Sequence, residues 1–98
     1  MDYSIVVTND AEDDLNRVIQ YLLFEKKSKQ AAKDVLDDFE KTKEKLKNVA
    51  GSLKLCDNPR LKILGYHRIN FLKHRYFILY RIESNLVFID NIFFHIIH

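Results

Sequence analysis

The sequence predicts an α+β domain. An N-terminal strand leads into an antiparallel two-helix hairpin, which packs on one face of a three- to four-stranded, mainly antiparallel sheet. Three observations predict it. A short β-branched run opens the chain. Two stretches with apolar residues at helical spacing follow, joined by a brief polar connection. The last part then alternates apolar and polar residues in segments parted by turn residues.

Tyr3-Ser4-Ile5-Val6-Val7 reads as the first strand, bounded by polar residues. Thr8-Asn9-Asp10 offers capping oxygens, and Asn9 with Glu12 fits a capping box. Asp13 and Asp14 suit the positive end of a helix. Ala11, Leu15, Val18 or Ile19, and Leu22 recur at helical spacing, so the first helix is expected over residues 10–24. Residues 25–29 break the pattern. A second helix then carries Ala32, Val35, Phe39, Thr42, Leu46 and Val49 on one stripe, with a solvated Lys/Asp/Glu face opposite and Gly51 as its stop. Asp57-Asn58-Pro59 signals a turn, and residues 61–64 are expected to be a short strand or a loop. Residues 66–72, 75–82 and 86–92 read as three strands, with Lys73-His74 and Glu83-Ser84-Asn85 as hairpin turns.

Alternation assigns the faces of this meander. Ile69, Phe71, Ile78, Tyr80 and Ile82 are expected under the helices, on the side that also holds His67. Arg68, Asn70 and Arg81 then share the uncovered face with Phe77 and Leu79, which makes an apolar and basic binding surface unless the C-terminal tail or a second subunit covers it.

Composition narrows the function classes. The 98 residues suit a single domain over residues 1–98. With 47% hydrophobic residues, 2 Gly and 1 Pro, the chain is too apolar for disorder. Cys56 is alone, which excludes a disulfide scaffold. No apolar run approaches a membrane span, and no leader is evident, so a reducing cytosol is the expected compartment. Net charge is +2, unevenly spread: residues 51–98 hold seven bases against three acids, and all four histidines. A mildly basic half suggests an anionic partner or ordinary surface charge.

Several motifs together carry a resemblance. Ala11-x-x-Asp14-Leu15-x-x-Val18-Ile19-x-Tyr21 opens the first helix, Ala31-Ala32 the second, with Leu46 near its end. After Gly65 come His67-Arg68-Ile69, then Tyr76-Phe77-Ile78-Leu79-Tyr80-Arg81-Ile82, then Val87-Phe88-Ile89-x-x-Ile92. This ordered set, over residues 3–95, resembles the RelE/ParE superfamily of bacterial type II toxins. The resemblance implies a growth-inhibiting toxin, of a kind linked to plasmid stabilization, held inactive by a cognate protein antitoxin. The antitoxin would lie across the helices and a sheet edge, by strand addition or helix-in-groove docking. Tyr21, Leu22 and Phe24 are the candidate antitoxin-binding residues, unless they close the core. A homodimer or a toxin–antitoxin heterotetramer fits the same resemblance.

The superfamily divides between RelE-like members, which cleave messenger RNA on the ribosome, and ParE-like members, which poison DNA gyrase. Metal-free RNA cleavage needs a base, an acid and cations for the phosphorane. Arg68, Arg81, His67 and His95 are the candidate catalytic groups, and Arg68, Arg75 and Arg81 the candidate contacts to phosphate or target. Yet the RelE-like pattern has an arginine beside the tyrosine matched by Tyr76, where this chain has Phe77. A second arginine belongs past the last strand, where Ile96 and Ile97 stand. The sequence therefore favours a ParE-like toxin, with a ribosome-dependent endonuclease or a degenerate non-toxic relative as alternatives. His67 reads as a satisfied buried histidine and His74 as a solvated turn residue. Two histidines at 95 and 98, with no acid or cysteine cluster, do not make a metal site. With two glycines and no phosphate-cradling loop, no cofactor is expected.

Overall fold

The computed structural model describes residues 2–94. Strand β1 (Ser4–Val7) leads into helix α1 (Asn9–Gln20). A π-helical turn (Tyr21–Glu25) joins it to the long helix α2 (Lys29–Val49). A 3-10 turn (Ala50–Ser52) and a short helix α3 (Pro59–Ile63) precede β2 (Tyr66–Asn70), β3 (Tyr76–Glu83) and β4 (Leu86–Phe94). The sheet order is β1-β4-β3-β2. β2, β3 and β4 form the antiparallel meander, and β1 lies parallel to β4. No helix among the described residues is long and apolar enough to cross a membrane.

The predicted stripe and the predicted sheet face meet in one core. Ala11, Leu15, Val35, Phe39 and Leu46 pack on Ile69, Phe71, Ile78, Tyr80, Val87, Ile89 and Ile92, and Ile82 lies half-buried against them. At the centre, the buried Tyr80 hydroxyl donates to the carbonyl of Ala50 at 2.9 Å, so even this polar atom is satisfied. Burial pushes that phenol far above the usual tyrosine range.

Several local expectations give way to tertiary contacts. The cap of α1 is Thr8, not Asn9. Its Oγ accepts from the Ala11 N–H and donates to the Ile89 carbonyl at 2.9 Å, so one hydroxyl starts the helix and ties it to β4. The first helix ends as a regular α-helix at Gln20, four residues short of expectation, because the chain widens into the π turn. Ser28 caps α2 by accepting from the Ala31 N–H, and Lys27 reverses the chain at φ 51°. Gly51 does not adopt a left-handed stop. It lacks a side chain because the Tyr3 hydroxyl lies where a Cβ would stand. Residues 61–64 are neither strand nor loop: Asn58 Oδ1 accepts from the N–H groups of Arg60 and Leu61 and starts α3, with Pro59 in its first turn. Gly65, at φ +81°, turns the chain from α3 into β2.

The strands differ at their ends. β2 stops at Asn70, so residues 71–75 form a longer connection than the expected two-residue turn. Glu83 remains in β3, and Ser84-Asn85 alone make the next turn, with Ser84 at φ 58°. β4 carries one extra residue, Asp90, opposite the Leu79–Tyr80 step. Leu79 lies on the uncovered face yet is buried, between its register partners Arg68 and Asn91.

Candidate functional site

The uncovered sheet face holds the main cluster of candidate residues. Tyr66 and Arg81 are register partners, as are Arg68 and Leu79, so alternation brings Arg68 and Arg81 to the same face. Arg68 is exposed, and its guanidinium stacks 3.8 Å from the centre of the Phe77 ring. Its Nε and Nη2 both donate to Asn70 Oδ1, at 3.3 and 3.2 Å. The residue standing where the nuclease pattern wants an arginine is thus the platform for another arginine. Phe93 lies beside Phe77 at 5.5 Å between ring centres and extends the apolar ground.

Arg81 is engaged on both sides. Its Nε donates to Asp90 Oδ2 at 2.8 Å, its Nη1 pairs with Glu83 Oε1 at 2.9 Å, and its plane lies 4.4 Å from the centre of Phe88. The Tyr66 hydroxyl donates to the same Asp90 oxygen at 2.7 Å. That hydrogen bond, with burial added, raises the Tyr66 phenol above its usual range, and Asp90 likewise raises Arg81. Two carboxylates therefore attend one guanidinium. Arg81 forms a fixed, charge-compensated node rather than a free cation awaiting phosphate. Asp90, the bulged residue that makes the node, was not singled out from the sequence, since the bulge arises only once β3 and β4 pair.

The other candidates stand apart. Arg75 is exposed in the connection between β2 and β3. His67 lies on the helix-covered side: its ring stacks on Tyr80 at 5.1 Å, and Nδ1 donates to the carbonyl of Leu53 at 2.9 Å. It fastens residues 53–55 along the edge of β2, where Leu55 bridges His67. His95 lies outside the described residues. Cys56 is half-buried, and burial raises its thiol.

His74 is not simply solvated. Its Nδ1 meets Asp38 Oδ2 at 2.6 Å, and the same carboxylate accepts the backbone N–H groups of Leu72, Lys73 and His74 at 2.8–3.0 Å. Asp38 is buried, beside Phe39 on α2. Burial alone would raise its pKa. The bonds from His74 and from the backbone N–H groups outweigh burial and hold it below the usual carboxylate range. The sequence placed Asp38 on a solvated face, because its neighbours on α2 are charged.

At the tip of the hairpin, Tyr21 is 49% and Phe24 68% exposed, while Leu22 turns inward against the core. The structure thus separates the three candidate antitoxin contacts into two surface rings and one packing residue. Tyr21 also lines a shallow apolar groove with Val18, Tyr76 and Phe94.

Comparison with known proteins agrees with this architecture. A family model described as the ParE toxin of the type II toxin–antitoxin system parDE matches residues 5–95. A search of curated proteins finds no match. Among solved structures, a chain from the chromosomal ParDE toxin–antitoxin system of P. aeruginosa superimposes with a TM-score of 0.75. The likeness covers 96% of this chain and 97% of that chain, at 16% identity, a level that speaks for the fold. By the family model over nearly its whole length, the chain belongs to the ParE toxin family of type II toxin–antitoxin systems.

Proposed function

We propose that the chain is a toxin that acts by binding a protein target through its uncovered sheet face, with DNA gyrase as the family's precedent, and that a cognate antitoxin neutralises it. The observation that carries this reading is the state of Arg81. A phosphoryl-transfer site needs a cation free to meet developing charge. Here Asp90 and Glu83 already occupy that guanidinium. Arg68, stacked on Phe77 beside the exposed Phe93, is instead the kind of side chain that anchors protein interfaces. His67, next to Arg68 in sequence, faces the opposite side of the sheet.

The test is a supercoiling assay with purified gyrase. The chain in molar excess is expected to block supercoiling, and Arg68→Glu to relieve the block. Full gyrase activity at excess, together with codon-associated cleavage of messenger RNA in a translation extract, would instead favour the endonuclease reading. Absence of growth arrest on induced expression would favour a non-toxic relative.

A further inference from the structure

Arg68 and Arg81 share a face but not a charge state of their surroundings. Arg81 has two carboxylates, Asp90 and Glu83. Arg68 has a ring and an amide oxygen, and no carboxylate among the described residues pairs with it. The strand register explains its posture. Asn70 stands opposite Phe77, and Phe77 opposite Phe93, across β2, β3 and β4. Arg68, two residues before Asn70, lies on the same face and lays its guanidinium over the Phe77 ring. Asn70 Oδ1 takes up Nε and one N–H of Nη2. That leaves the end-on edge, Nη1 and the second N–H of Nη2, as two parallel donors suited to a bidentate oxyanion.

This edge has a place for such a group. β2 is the outer strand of the sheet. The segment before α3 touches it through the Cys56 N–H, which donates to the Tyr66 carbonyl at 2.8 Å, and through a single bridge from Leu55 to His67. The contact goes no further, and a cleft of about 220 Å³ remains between residues 54–57 and the pair Arg68 and Asn70. It is smaller than a typical small-molecule pocket and of a size for one side chain. Lys54 and Asp57, on its other wall, pair at 3.5 Å and cancel. From this cleft to the bulge, three cations (Lys54, Arg68, Arg81) meet three carboxylates (Asp57, Glu83, Asp90). Arg75, a further cation, sits in the connection ahead of β3. A strand of nucleic acid needs a surplus of positive charge along its phosphates. This balanced ground repels a polyanion and suits a single acid with apolar neighbours.

We propose that Arg68 is the specificity-determining contact of the target face, and that it takes one Asp or Glu side chain of the protein target in the cleft, with Phe77 and Phe93 receiving the apolar residues beside it. Phe77 and Asn70 are the positioning residues. They hold the guanidinium in place before the partner arrives, so less freedom is lost on binding. The inference rests on the reading that the target is a protein.

The probe is purified gyrase, titrated with the full chain by calorimetry. Asn70→Asp is the decisive variant. It keeps the shape and gives Arg68 a carboxylate of its own, as Arg81 already has. It is expected to bind roughly tenfold or more weakly with no fall in thermal midpoint, an outcome that a merely structural Arg68 would not produce. Arg68→Lys, which cannot offer the bidentate edge, is expected to weaken binding as well. Lys33→Ala, on the solvated face of α2, is expected to bind as the native chain does. Carbodiimide labelling of gyrase should then show one Asp or Glu protected by the native chain and not by Asn70→Asp, and arginine at that position of gyrase should restore binding to Arg68→Glu. If gyrase binds the native chain and Asn70→Asp equally, or no carboxylate is protected, the assignment fails and the reading of a protein target stands. If gyrase does not bind the native chain at micromolar concentration, the gyrase reading fails, and the inference with it. Tight, salt-sensitive binding of single-stranded RNA that Asn70→Asp abolishes would make phosphate the occupant and overturn the proposal.

Discussion

Asp38 shows how one side chain can hold a connection that has no regular structure. The backbone N–H groups of Leu72, Lys73 and His74 point to no strand partner, and a single carboxylate on α2 accepts all three together with the His74 ring. Asp38→Asn keeps the shape but removes the charge and places an amide donor against N–H groups. It is expected to cost about 2–4 kcal/mol, read from urea unfolding at pH 7. The pH dependence has a definite sign. The folded pKa lies below the unfolded one, so this stabilisation is fully present above about pH 4. It is lost as pH falls through the depressed folded value. The native chain should therefore lose more stability between pH 5 and pH 3 than Asp38→Asn does.

At the scale of elements, the joins carry the specificity. Thr8 both caps α1 and fastens it to the Ile89 carbonyl, so Thr8→Ala removes a cap and a link to β4. The expected loss is about 1–2 kcal/mol, seen as a lower thermal midpoint, with Thr8→Ser recovering most of it. Asp90 plays a comparable part in the meander. As the extra residue of the bulge it gathers Tyr66 and Arg81 onto one oxygen. Asp90→Ala leaves Arg81 with Glu83 alone and lets Tyr66 seek water. We expect weaker target binding at a modest stability cost, about 1–2 kcal/mol. A calorimetric titration with the target, set beside a denaturation curve, separates the two effects.

At the scale of the molecule, two helices cover one side of the sheet and the other side is left to rings and arginines. Arg68 is exposed, stacked on Phe77 and bonded to the side chain of Asn70, so Arg68→Ala should change stability by no more than about 0.5 kcal/mol. Growth arrest on induced expression should nevertheless be reduced. Loss of arrest accompanied by unfolding would point to a structural role instead.

Much of this was legible beforehand. The apolar stripe of α2, from Ala32 to Leu46, and the alternation that sends Ile69, Ile78 and Tyr80 inward are local periodicities, and burial simply follows them. So are the placement of Arg68 and Arg81 on a shared face and the order of motifs that marks the family. What tertiary structure decided are the matters that depend on residues far apart in the chain. β1 lies beside β4 rather than at some other edge because the helix pair carries the chain across the sheet. Asp38 is buried because residues 71–75 come to it, and Arg81 is neutralised because pairing with β3 throws Asp90 into a bulge. Periodicity is a property of neighbours within a turn or two of chain, whereas the partner of a charge is set by packing. Sequence alone therefore identified the arginines, and only the assembled sheet determined which of them has its charge already met.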